Sequence, residues 1–126
     1  MKIVQTPNAP APASNYSQGI VVPSTDRTLH VSGQIGVMLD GTIPDDPAAQ
    51  HDLAWKNAMA ILQAEGMDHS HVVMARVYIM DPGQVILYRQ TRDRFMQGHK
   101  PAATLLIVAG LADPRLCVEV ELIASA

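Results

Sequence analysis

Val118-Glu119-Val120-Glu121-Leu122-Ile123-Ala124 reads as a strand, and its two faces differ in chemistry. Side chains on a strand point alternately to opposite sides, so Val118, Val120 and Leu122 share one face while Glu119 and Glu121 share the other. The first face is apolar and packs; the second carries two carboxylates. Asp113-Pro114-Arg115 makes a turn before this strand, and Ala103 to Ala109 forms another strand entered through Lys100-Pro101-Ala102-Ala103-Thr104-Leu105.

Working toward the N-terminus, Val72 to Met80 is rich in β-branched residues and is closed by Asp81-Pro82-Gly83, so it reads as a strand. A helix is expected over Gln84 to Gln97. A longer helix is expected over Pro47 to Glu65: Asp45 and Asp46 supply an N-cap, Pro47 suits the first turn, and Gly66 stops it. Its apolar face contains Ala54, Ala58, Ile61 and Leu62, with Leu53 and Trp55 at the margins. Ser17 to Val22 and Thr28 to Ile35 read as strands joined at Pro23-Ser24-Thr25-Asp26, which suggests a hairpin. Pro7, Pro10 and Pro12 make residues 1–14 an extended lead-in. The order is two strands, helix, strand, helix, two strands. That order suits one α+β domain over residues 1–126, with a mixed sheet covered on one face by two helices.

Composition narrows the function. Hydrophobic residues make up 48% and charged residues 17% of 126 residues, enough for a core, with a sparsely charged surface that burial in an oligomer would explain. There is no run of 18 apolar residues and no apolar leader at Met1 to Pro7, so a cytoplasmic protein with no membrane partner is expected. A net charge of −3 and 4% aromatic residues weigh against a nucleic-acid partner. Arg89, Arg92, Arg94, His99 and Lys100 form a local basic cluster, either a solvated helix face or an anion-facing patch. The single Cys117 excludes an internal disulfide and reads as a packing residue. His69 and His71 lack further ligands, so no metal site is expected, and no phosphate loop points to a cofactor.

Four motifs in order carry a family resemblance: Asn15-Tyr16-Ser17-Gln18-Gly19, Leu29-His30-Val31-Ser32-Gly33-Gln34-Ile35, the Pro101-Ala102-Ala103-Thr104 segment, and Val118 to Ala124. Ala60 to Gly66 and Val72 to Asp81 agree with it. The chain resembles the Rid superfamily (reactive intermediate deaminases, also called YjgF) from about Asn15 onward. The resemblance implies a chorismate-mutase-like fold, a homotrimer with small-molecule pockets between subunits, and hydrolysis of a reactive enamine or imine. It also implies site residues: Glu121 to orient water, and Tyr16, Ser32, Gly33 and Thr104 to line the pocket. Family deaminases carry an arginine after Pro-Ala to clamp a substrate carboxylate, and Ala103 stands there instead. Simple 2-imino acids anchored by their carboxylate are therefore not the expected substrates, unless a cation such as Arg89, on the second helix, compensates.

Each of these residues has a plainer alternative. Glu119 and Glu121 could form a polar sheet surface or an interface ion pair; Tyr16 could serve packing, and Ser32 could organise a turn beside Gly33. A noncatalytic metabolite-binding or regulatory trimer is the alternative function. Endoribonuclease activity, a label some family members carry, ranks third.

Overall fold

The computed structural model describes residues 1–126. Its strands are β1 (Lys2–Val4), β2 (Gly19–Val21), β3 (Thr28–Ile35), β4 (Val72–Ile79), β5 (Ala102–Ile107) and β6 (Val118–Ser125), and its helices are α1 (Pro47–Ala64) and α2 (Val85–Met96). A four-stranded mixed sheet runs β3-β6-β4-β5, with β6 antiparallel to both neighbours and β4 parallel to β5. A parallel pair needs a long crossover, and α2 supplies it.

The alternation in β6 sets the layers. Val118, Val120, Leu122 and Ala124 are buried, as are Ala75, Val77 and Ile79 beside them on β4. Against this face α1 sets Ala54, Trp55, Ala58 and Leu62, all with no accessible surface. Full burial of one side chain such as Leu62 contributes about 1.5–3 kcal/mol. Trp55 lies at the centre of the helix face rather than at its margin, because its ring stacks on Phe95 of α2 (centroids 6.2 Å apart, 17° between planes) and so fills the seam between the helices.

Local chemistry explains where α1 begins. Asp46 caps it by accepting from the Ala48 amide at 3.4 Å, and Pro47 occupies the first turn. One turn in, buried Gln50 donates through Nε2 to the carbonyls of Pro44 (2.9 Å) and Arg115 (2.8 Å), and its Oε1 accepts from the Cys117 amide (2.8 Å). One side chain thus ties the helix start to the approach of β6. Gly36 lets the chain leave β3 beneath this helix, since a Cβ there would lie 2.6 Å from the Gln50 backbone.

The hairpin expected of residues 17–35 does not form. The Pro23–Asp26 turn is present, but β2 pairs with β1 (Ile3 opposite Ile20), a strand within the lead-in, and β3 pairs with β6. The lead-in is held by Gln18, whose side chain accepts from the Thr6 amide (2.6 Å) and donates to the Pro10 carbonyl (2.9 Å). Ser17 then docks this segment beside β5, donating its amide to the Pro101 carbonyl at 2.9 Å.

Candidate functional site

Both helices cover one face of the sheet, and the other face is uncovered. Across the bare face runs a row of polar residues fixed by register: Thr104 of β5 beside Arg76 of β4, and Arg76 beside Glu121 of β6. On β3, Val31 pairs with Leu122 and Gln34 with Val120, so Ser32 and Gly33 together oppose Glu121 in a β-bulge. Gly33 lets the Glu119 carboxyl group lie close over the bulge: a Cβ there would sit 2.7 Å from the carboxyl carbon and push that side chain aside. The Gln34 amide, donating to the Ser32 carbonyl at 3.1 Å, holds the bulge. Four of the expected site residues, Ser32, Gly33, Thr104 and Glu121, therefore share one band.

Glu121 is half-buried in this band. Its Oε1 accepts a hydrogen bond from the Tyr78 hydroxyl and lies 3.8 Å from Arg76 Nη1, whereas Oε2 has no protein partner. That bond raises the Tyr78 pKa above its ordinary value, because a phenolate would lose it and face the carboxylate charge; burial adds to the effect. Tyr78 thus keeps its proton at neutral pH and serves as a hydrogen-bond donor, and Glu121 retains one free oxygen that can accept from water.

The other expected residues lie elsewhere. Tyr16, Arg89 and Ala103 line a cleft of about 190 Å³ between α2, the lead-in and the β5 edge, together with Ser14, Tyr88 and Arg92. Ala103 is level with Ala75 and Leu122, on the helix side of the sheet. Ala103 and Thr104, read from sequence as one segment of a single pocket, point to opposite faces because successive strand residues do so. Within one protomer the sheet separates Glu121 from Tyr16, Arg89 and Ala103. In the cleft, Tyr16 Oη accepts from the Ala13 amide at 3.2 Å.

The basic cluster of α2 is neither one solvated face nor one patch. Arg92 is buried, donating to Asp93 (3.0 Å), Tyr88 Oη (3.3 Å) and Ser14 Oγ (3.4 Å), while Arg94 turns outward to Asp52. His69 and His71 belong to a 3₁₀ turn capped by Asp68, and no three His, Cys, Asp or Glu side chains are grouped to hold a metal. Three larger clefts, of about 450, 440 and 460 Å³, border α1 or the lead-in and contain none of the site residues. Sequence reasoning missed Arg76 and Tyr78. Their signal was present: in an apolar strand they are the polar residues of one parity, the parity that faces away from the core.

Known proteins match nearly the whole chain. A family profile described as Endoribonuclease L-PSP matches residues 6–126. The 2-iminobutanoate/2-iminopropanoate deaminase of Rattus norvegicus is 34% identical over 125 residues, covering 98% of this chain and 88% of the relative. The Escherichia coli K12 protein of the same name is 32% identical over 127 residues, covering 98% and 96%. Among solved structures, YyfB of the Rid family from Yersinia pestis superposes with a TM-score of 0.86 at 26% identity, covering 99% and 98%. E. coli TdcF with bound serine gives 0.75 at 29%, covering 100% and 99%. The sheet with its two helices, the ordered motifs and these matches together show that the chain belongs to the Rid/YjgF family, matched by the Endoribonuclease L-PSP profile.

Proposed function

We propose that this protein hydrolyses a reactive enamine or imine in a site built from two copies of the chain within a homotrimer. One observation carries the reading: Glu121 and its band lie on a bare sheet face, while the cleft of Tyr16, Arg89 and Ala103 lies on the opposite side of the same sheet. No single copy can present both to one small molecule. The bare face also leaves Leu106, on β5, half exposed at 49%, apolar area that a neighbouring copy would cover. Packing the β5 edge and cleft of one copy against the bare face of the next completes the site in trans, and repetition of that heterologous contact closes a ring.

The chemistry follows from the groups in the band. Glu121 Oε2 orients a water and accepts its proton as the oxygen adds to the C=N carbon. Glu121 returns that proton to the former imine nitrogen, giving a carbinolamine; the hydroxyl proton then moves to nitrogen as the C–N bond breaks, ammonia leaves and a carbonyl forms. Thr104, Ser32 and the backbone at Gly33 supply neutral hydrogen-bonding groups around the reacting carbon, and Tyr16 supplies a phenol from the cleft. Ala103 offers no charge, so an imine that depended on that position for its carboxylate would bind weakly. Two carboxylates on the bare face disfavour an RNA backbone there.

The test is hydrolysis of imines generated in situ by an amine- or amino-acid-oxidising enzyme, with wild type and Glu121→Gln. Turnover reduced about 100-fold or more by Glu121→Gln is expected. No turnover by wild type across charged and uncharged imines would refute hydrolysis; saturable binding in that case would identify a metabolite-binding trimer.

A further inference from the structure

We infer that Arg76 is the specificity-determining residue of this site and selects an imine that carries a carboxylate on the C=N carbon. The inference rests on the hydrolytic reading above and adds to it the charge of the substrate. Four arginines are engaged by carboxylates at short range: Arg27 with Glu65 (3.2 Å), Arg92 with Asp93 (3.0 Å), Arg94 with Asp52 (2.5 Å) and Arg115 with Asp113 (2.7 Å). Arg76 is different. It stands on an inner strand, between Thr104 and Glu121, and its sole carboxylate neighbour is 3.8 Å away at an oxygen already taken by Tyr78. Its side chain is 45% exposed on the bare face. A guanidinium offers five donors in a planar fork suited to a carboxylate, and here that fork is unspent beside the proposed base.

The spacing suits one ligand class. A water held about 2.8 Å from Glu121 and about 3–3.5 Å from the attacked carbon puts that carbon within reach of Arg76. A carboxylate bonded to the same carbon then meets the fork through paired hydrogen bonds, and an uncharged substituent does not. Arg89, which pairs with no carboxylate, lies across the sheet from Glu121 of its own copy and could reach this site only from a neighbouring copy in the ring, so the two arginines are tested against each other.

The experiment compares 2-iminopropanoate with an uncharged imine from an amine oxidase, for wild type, Arg76→Met, Arg76→Lys and Arg89→Met. Arg76→Met is expected to lower kcat/KM for 2-iminopropanoate about 10- to 100-fold, mainly through KM. For the uncharged imine the loss is expected to be about 10-fold smaller than for 2-iminopropanoate, and Arg76→Lys recovers part of the difference by keeping the charge. Equal losses on both substrates, or selectivity lost in Arg89→Met and kept in Arg76→Met, would overturn the inference. If wild type hydrolyses neither imine, the hydrolytic reading fails separately, and calorimetric binding of pyruvate decides the point. Pyruvate binding weakened by Arg76→Met then supports the carboxylate contact; binding unchanged by it overturns it.

Discussion

Separation of Glu121 from the cleft by a whole sheet makes a quantitative demand on mixed assemblies. Glu121→Gln spoils the bare face and spares the cleft. Ala103→Trp fills much of the roughly 190 Å³ cleft and leaves Glu121 untouched. Each variant alone should be inactive. Co-refolded in equal amounts and assembled at random, a site works only where an intact cleft from a Glu121→Gln copy meets an intact carboxylate from an Ala103→Trp copy. Each of those choices has a chance of one half, so about one quarter of wild-type activity should return. A site contained in one chain would return none. The assay is imine turnover of the mixture against each parent, with light scattering to establish that all samples are trimers. Mixed trimers without activity would refute assembly in trans, and dimers or monomers in active wild-type samples would refute the ring.

Two further predictions concern the frame that holds the site. Gln50→Leu keeps the side-chain volume but strands the Cys117 amide and the carbonyls of Pro44 and Arg115 in a buried place, at a cost of about 2–5 kcal/mol; the urea midpoint should fall with little change in m. Buried His51 has its imidazole pKa pushed below the ordinary 6.5 by desolvation, with the Gln84 hydrogen bond opposing the shift. Because the unfolded chain takes up that proton first, stability is full above about pH 6.5 and declines as pH falls below it, by at most about 1.4 kcal/mol per pH unit. His51→Gln should flatten that segment of the urea-denaturation profile, and an unchanged slope would contradict the linkage.

How far the sequence discloses this protein depends on whether the deciding contact is local. Strand β6 was readable because alternation is an intrinsic property of an extended chain, and the start of α1 because Asp46 and Pro47 act within one turn. The pairing of β1 with β2 was not, since it joins residues 2–4 to residues 19–21 across a loop held by a glutamine side chain rather than by a turn motif. Burial of Arg92 was hidden for a similar reason: one of its hydrogen-bond partners, Ser14, is 78 residues away. For the site, parity in β5 could have shown that Ala103 and Thr104 face opposite ways, and parity in β4 that Arg76 and Tyr78 join Glu121. What parity cannot show is which residues of different strands stand level with one another.

Strand β6 comes last in chain order among the strands of its sheet yet occupies an inner position, bonded to β3 on one side and β4 on the other. During synthesis, β3 and β4 therefore wait with unpaired edges until residues beyond about 118 have left the ribosome, a delay typical of topologies dominated by distant pairings. The same strand brings Glu121. A nascent chain long enough to own the carboxylate is thus also the first chain able to close the sheet around it, so the reactive group and its support arrive together.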